Sequence, residues 1–184
     1  MAPVPGTDLR EIDSSKEHRL RSEGLMRVNH AGEVAAQALY HGQSLAARDP
    51  AVREAMAKSA SEESDHLYWC EERLRELGGR TSLLNPFWYF GSFMIGATAG
   101  IAGDRLSLGF IAETERQVVR HLEEHLNELP PDDARSRAIL QRLKTDEAHH
   151  ATVAIESGAA DLPEVIKKLM TAAAKVMTTT AYWL

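Results

Sequence analysis

The sequence predicts an all-α protein built as an antiparallel bundle of long helices. Three observations carry this. No stretch alternates apolar and polar residues as a half-buried strand would. Helix-breaking residues fall at only a few points, Asp49-Pro50, Gly78-Gly79, Pro130-Pro131 and Gly158, and leave long Ala- and Leu-rich segments between them. Most joins at those points are short, which makes sequential helices antiparallel neighbours.

Residues 1–20 are polar, with prolines near the start and no clear periodicity, and read as a loose tail leading into a single domain over 21–184. A first helix is expected from Ser22 to about Arg48, where no proline intervenes. Asp49-Pro50 stops it and opens a second, because proline suits a first helical turn. That second helix runs to Leu77 before Gly78-Gly79. Residues 81–103, TSLLNPFWYFGSFMIGATAGIAG, contain no charged side chain. A third helix follows over about Arg105 to Glu128, and a fourth over about Asp132 to Ser157. Asp161-Leu162-Pro163 reads as an N-cap signal for a fifth, amphipathic helix over 161–184.

Bulk properties exclude several functions. A formal charge of -6 argues against nucleic acid as the main partner, since phosphates need a basic face. Cys70 is the only cysteine, which rules out a disulfide framework or a Cys-based zinc site within one chain. The start of the sequence carries acids where a signal peptide needs a basic end and an apolar run, so a cytosolic protein is expected. No Gly-rich dinucleotide fingerprint and no flavin motif occur.

The chemistry lies in two Glu-x-x-His pairs. Glu63 and His66 stand in the second helix, Glu147 and His150 in the fourth. Positions i and i+3 share a helix face. Helical spacing surrounds Glu63 with Met56, Ala60, Leu67, Cys70 and Leu74, and Glu147 with Leu140, Leu143, Ala151 and Ala154. Both pairs therefore sit inside apolar stripes. A buried carboxylate is costly unless it is paired or bound to metal. The third helix adds a lone acid, Glu115, among Leu108, Ile111, Ala112, Val118, Val119 and Leu122, whereas Glu113 groups with Arg116, Gln117 and Arg120 and reads as solvated. The first helix adds Glu33, among small residues and with Gln37 and Tyr40 on its face. One Glu from each of two helices and Glu-x-x-His from each of two others is the ligand set of carboxylate-bridged di-iron or di-manganese bundles. Four carboxylates balance two divalent ions, and two neutral imidazoles supply nitrogen. Glu62 and Asp146 each precede a ligand His by four residues and either orient an imidazole or stand as solvated surface acids. Tyr40 is a further candidate to support the site. His30, His41, His121 and His125 lack such a context and read as surface or structural.

These segments resemble the demethoxyubiquinone hydroxylases (3-demethoxyubiquinol 3-hydroxylases) of ubiquinone biosynthesis, within the ferritin-like di-iron proteins. The matching segments are RVNHAGEVAAQALYHGQ at 27–43, EESDHL at 62–67, FIAETERQV at 110–118 and DEAHH at 146–150. The resemblance runs from about Leu25 to the C-terminus. It implies a ferritin-like four-helix bundle with a crossover segment at 81–104 between its second and third helices and an additional C-terminal helix. It implies two iron ions on Glu33, Glu63, His66, Glu115, Glu147 and His150. It also implies an O₂-dependent monooxygenase that hydroxylates the ring of a polyprenylated demethoxybenzoquinol, with electrons from the quinol itself or from NADH. A ferritin- or rubrerythrin-type ferroxidase or peroxidase is the competing enzyme reading, and a non-catalytic membrane-associated metal-binding protein the competing reading of another class.

A polyprenyl quinol resides in the bilayer, so a membrane surface is an expected partner, with peripheral location on the cytoplasmic face of the inner membrane if the source is bacterial. The 81–103 run supplies the expected entrance residues Phe87, Trp88, Tyr89, Phe90, Phe93 and Met94, with Trp88 and Tyr89 at headgroup level. Its Pro86 and its glycines at 91, 96, 100 and 103 favour a bent, close-packed crossover over a membrane span. The C-terminal helix, with Val165, Ile166, Leu169, Met170, Ala173, Val176 and Met177 at helical spacing, reads either as interfacial or as packed on the bundle. A lipid-delivery partner protein and a homo-oligomer are further expected partners.

Overall fold

The computed structural model describes residues 2–9 and 14–184. It contains six helices: α1 (Lys16–Ala46), α2 (Pro50–Leu77), α3 (Asn85–Ala102), α4 (Asp104–Glu128), α5 (Ala134–Glu156) and α6 (Glu164–Trp183). No strand occurs among the described residues. Helices α1, α2, α5 and α4 close a four-helix bundle through contacts of α1 with α2, α2 with α5, α5 with α4 and α4 with α1. The additional helices α3 and α6 both lie against α1 and α4.

Local chemistry sets the boundaries. The Asp49 side chain accepts from the Ala51 N–H, and Gly78 ends α2 in the left-handed conformation at φ 76°. The first helix begins earlier than expected, at Lys16, because the Ser15 hydroxyl accepts from the His18 N–H. The Asp133 carboxylate caps α5 by accepting from Ser136 N–H. Asp161 does not cap α6, which starts behind Pro163 without a side-chain cap. Its carboxylate accepts from the Lys167 ammonium instead, at 2.8 Å.

The 81–103 run departs most from expectation. The crossover between α2 and α4 is an 18-residue helix laid along α1. Three glycines allow this approach. A Cβ on Gly96 would collide with the carbonyl oxygen of Leu39, one on Gly42 with that of Phe93, and one on Gly100 with the Ala46 methyl. Gly103, at φ 122°, then turns the chain from α3 into α4.

The tail expected over 1–20 is partly docked. Residue 1 and residues 10–13 lie outside the described residues. Ala2 donates its N–H to Asp65 Oδ1 at 3.0 Å and accepts from the Trp69 indole at 3.1 Å. Gly6 lies against Ala138 and Arg135 of α5. Residues 2–6 thus cross the groove from α2 to α5, and Ala2 and Val4 pack on the core of Leu25, Met26, Trp69, Leu74, Ile139 and Leu143.

The C-terminal end is docked as well. The Tyr182 ring lies against Gly24, Arg27 donates to the Tyr182 carbonyl at 2.7 Å, and the Leu184 carbonyl accepts from Leu83 N–H. Helix α6 also corrects the reading of Glu113. That acid is buried, 7% exposed, and accepts from Gln117 at 2.8 Å. Gln117 in turn reaches the Lys167 carbonyl, so α6 covers a face that the sequence left to solvent.

Candidate metal centre

The apolar stripes of the four bundle helices bring Glu33, Glu63, His66, Glu115, Glu147 and His150 together in the interior. All six are buried, Glu63 completely. Their potential ligand atoms form two overlapping groups. One consists of Glu33, Glu63, His66 and Glu147, the other of Glu63, Glu115, Glu147 and His150, with the atoms of each group within 4.8 Å of one another. Glu63 and Glu147 belong to both. Each imidazole turns Nδ1 inward: His66 Nδ1 lies 3.0 Å from both Glu63 Oε2 and Glu147 Oε1, and His150 Nδ1 lies 3.1 Å from Glu147 Oε2.

Each outer nitrogen meets an acid from the opposite helix. His66 Nε2 on α2 is 3.3 Å from Asp146 Oδ2 on α5, and His150 Nε2 on α5 is 3.0 Å from Glu62 Oε2 on α2. Of the two readings open for Glu62 and Asp146, the cross-helix orienting contact is the one observed. Arg142 steadies Asp146 at 2.8 Å, and Lys58 lies 3.4 Å from Glu62. Tyr40 donates its hydroxyl to Glu115 Oε1 at 2.6 Å.

The residues fit a pair of divalent ions. Glu115 Oε2 is buried without a hydrogen-bond donor, and Glu147 Oε1 and Glu63 Oε1 each have only an imidazole Nδ1 beside them, at 3.0 and 3.4 Å, a costly arrangement that bound cations relieve. Burial pushes the Glu115 carboxyl well above its usual range, and the charges of Glu147 and Glu63 push it further. Burial likewise raises Glu63 and the Tyr40 phenol. For the imidazoles burial works against charge, but hydrogen bonds from Glu147 and Glu63 outweigh it and lift His150 to about 11. His66 is raised too, against burial, by Glu147, Glu33 and Glu63. Metal-free, the cluster holds protons where a metal would supply positive charge.

Three of the histidines that read as surface or structural form a buried polar set. His125 Nδ1 lies 3.0 Å from Asn29 Oδ1, the His121 and His125 rings lie 3.8 Å apart at a tilt of 58°, and Asn85 Nδ2 approaches His30 Nδ1 at 3.3 Å. Burial lowers His30 to about 4 and, with a push from His121, His125 to about 3. The only signal was Asn29-His30 directly before the ligand helix turn at Glu33. Of the expected entrance residues, Phe87, Phe90, Met94 and Tyr89 are exposed, Tyr89 with its hydroxyl 3.2 Å from His41. Trp88 and Phe93 are half-buried, and Trp88 packs over Val28, Ala31 and Ala181 rather than facing outward.

Fold and site together define a ferritin-like helical bundle with an interior cluster of carboxylates and imidazoles. The same fold occurs in a dodecameric thioferritin, a bacterioferritin-related protein from Bacteroides fragilis, at TM-score 0.62 and 17% identity over 73% of this chain and 82% of that one. Residues 21–181 match the family model of Ubiquinone biosynthesis protein COQ7, and the chain belongs to that family. It is 59% identical to a 3-demethoxyubiquinol 3-hydroxylase of Nitrosococcus oceani, over 98% of this chain and 84% of the relative. It is 56% identical to one of Legionella pneumophila with the same shares, and 54% identical to one of Nitrosomonas europaea over 100% of this chain and 88% of that one.

Proposed function

We propose that this chain is a 3-demethoxyubiquinol 3-hydroxylase, adding one hydroxyl to the ring of a polyprenylated demethoxybenzoquinol with O₂ at a di-iron centre. The observation that carries this is the pair of overlapping buried groups sharing Glu63 and Glu147, with Glu115 Oε2 left without a donor among them. Glu33 and His66 would complete one iron site, Glu115 and His150 the other. Two bound irons supply the electron transfer to O₂ that the side chains themselves cannot.

The chain's own groups do the rest. Asp146 and Glu62 hold His66 and His150 by Nε2, which fixes each ring with Nδ1 inward. Tyr40 stays protonated and pins Glu115 through its hydroxyl. Met56, Ala60, Leu108, Ile111, Ala112 and Ala154 pack beside Tyr40 and make that end of the site apolar.

Exposed apolar helix faces support the substrate assignment. Among the described residues, no helix is long and apolar enough to cross a membrane. Helix α3 nevertheless presents Phe87, Phe90, Met94, Ile95 and Ile101 outward, and α6 presents Val165, Leu169, Val176 and Trp183. Two additional helices with exposed apolar faces suit a peripheral attachment from which a bilayer quinol reaches the bundle. The cytoplasmic face of the inner membrane fits a bacterial source such as those of the relatives. The reductant is the quinol itself or NADH, and a lipid-delivery partner or a second copy of the chain would dock on the same apolar surfaces.

The direct test loads the protein anaerobically with Fe(II), adds a short-chain demethoxyquinol and O₂, and looks by mass spectrometry for one added oxygen. Iron oxidation without ring hydroxylation would instead indicate a ferroxidase, and no oxidation a scaffold. Because α3 packs backbone to backbone on α1, membrane attachment is tested by Phe87→Ser with Phe90→Ser rather than by excision. Loss of liposome binding with metal content intact is the expected result.

A further inference from the structure

The interior cluster has two sides. Helices α3 and α6 cover the α1–α4 side, where the exposed apolar faces are. The other side is the groove between α2 and α5. Residues 2–6 close that groove over the His66 half, through Ala2 on Asp65 and Trp69 and Gly6 on Ala138. Over the His150 half a cavity of about 190 Å³ remains. Its floor carries His150 and Tyr40, both in direct contact with the carboxylate cluster, at 3.1 Å to Glu147 and 2.6 Å to Glu115. Its walls are largely apolar, from Ala55, Met56, Leu108, Ile111, Val153 and Ala154, and they also carry Glu62, Ser59, Lys58 and His149, of which Lys58 and His149 are exposed.

We propose that this cleft is the port through which divalent cations reach the interior, with Glu62 and His149 as the groups that receive them. The proposal rests on the metal-centre reading above and goes beyond it in assigning a route and two receiving residues. The polar groups of the lining fit this occupant. A carboxylate 44% exposed at its side chain and an exposed imidazole are oxygen and nitrogen donors for a hydrated divalent ion. The volume accommodates an ion with several waters, each needing roughly 30 Å³. Glu62 is at once reachable from solvent and bonded to His150 Nε2, so an ion held there is one side chain from the cluster. The shared Glu63 and Glu147 then continue the path to the His66 half, over which residues 2–6 lie. Lys58, 3.4 Å from Glu62, is the lysine of the lining and opposes the approach of a cation.

The test follows Co(II) uptake by metal-free full-length protein, using visible absorption in a stopped-flow instrument, with metal content at equilibrium measured separately. Ser59→Trp should slow uptake by about tenfold or more by filling the cleft. Lys58→Glu, at a position 77% exposed where folding is undisturbed, should speed uptake several-fold at low salt, an effect that fades near about 0.5 M salt. Lys144→Glu makes the same charge change on α5 outside the lining, beside Glu123, and should leave the rate alone. Equilibrium metal content should be unchanged in all three. If Lys58→Glu and Ser59→Trp both load at the wild-type rate with full content, the port is overturned and the metal centre stands. If Lys144→Glu accelerates uptake as much as Lys58→Glu, the effect is general charge and the port is likewise overturned. If the wild-type protein binds no Co(II) at equilibrium, the metal-centre reading falls and the port with it.

Discussion

The two Glu-x-x-His halves are alike in sequence and unlike in surroundings. Each pairs an inward Nδ1 with carboxylates and an outward Nε2 with an acid from the other helix. The His66 half is closed: its ring lies 5.2 Å from Trp69, whose indole is tied to Ala2, and Asp146 is 21% exposed and braced by Arg142. The His150 half abuts a cavity, and its Glu62 is 44% exposed with only a long Lys58 contact. A pseudo-symmetric ligand set thus becomes directional through what covers it. On the proposed route, the open half is the one that gives access.

The largest effect should come from removing what the halves share. Glu147→Ala should lose both metals and all ring hydroxylation, read by metal analysis and mass spectrometry, whereas Glu115→Ala should keep the metal of the His66 half. Equal metal content in the two variants would mean that Glu147 is not common to both halves. Next come the orienting acids. Asp146→Ala and Glu62→Ala should each weaken metal binding by about 10–100-fold, the usual cost of losing such a partner. Asp146→Ala should be the worse of the two, because its contact is the better shielded from water. Competitive titration with a chelator measures both.

The imidazoles predict the pH behaviour. His150 is raised from 6.5 to about 11 in the folded, metal-free chain. A raised pKa stabilises the fold fully below the unfolded value and loses that contribution as pH rises toward the folded one. Metal-free protein should therefore lose thermal stability from about pH 6.5 upward, while metal, which competes with the same protons, binds more tightly. Melting curves with and without Co(II) should diverge as pH rises, and parallel curves would rule out protonated imidazoles in the metal-free cluster. The smallest effect is expected at the seal. Trp69→Phe removes the bond to Ala2 and should cost about 1 kcal/mol, seen as a lower melting temperature and easier proteolysis of the N-terminal segment.

Periodicity found five of the six interior residues, because each lies in an apolar stripe where a polar group is conspicuous, and Glu33 stood out as a lone acid among small residues. The sequence did not reveal that Glu113 is buried, since α6 covers it and no local pattern encodes a distant helix's position. It likewise hid which rings of the 81–103 run face solvent: Trp88 turns to Val28 and Ala181, while Phe87 beside it turns out. The glycines at 96 and 100 were legible as signs of close packing, but their partner α1 was not.

The sequence by itself determined the helical class, the α2 boundaries, the four ligand-bearing stripes and the family. These follow from local rules of turn chemistry, from 3.6-residue spacing and from the cost of burying carboxylates. Only the tertiary structure decided that Asp146 and Glu62 cross to the opposite helix's imidazole, that α3 is a helix laid on α1, and that residues 2–6 close one half of the groove while a cavity remains over the other. Those outcomes depend on which surfaces meet across long stretches of chain, and a near-repeat in sequence cannot state which of its copies will be covered.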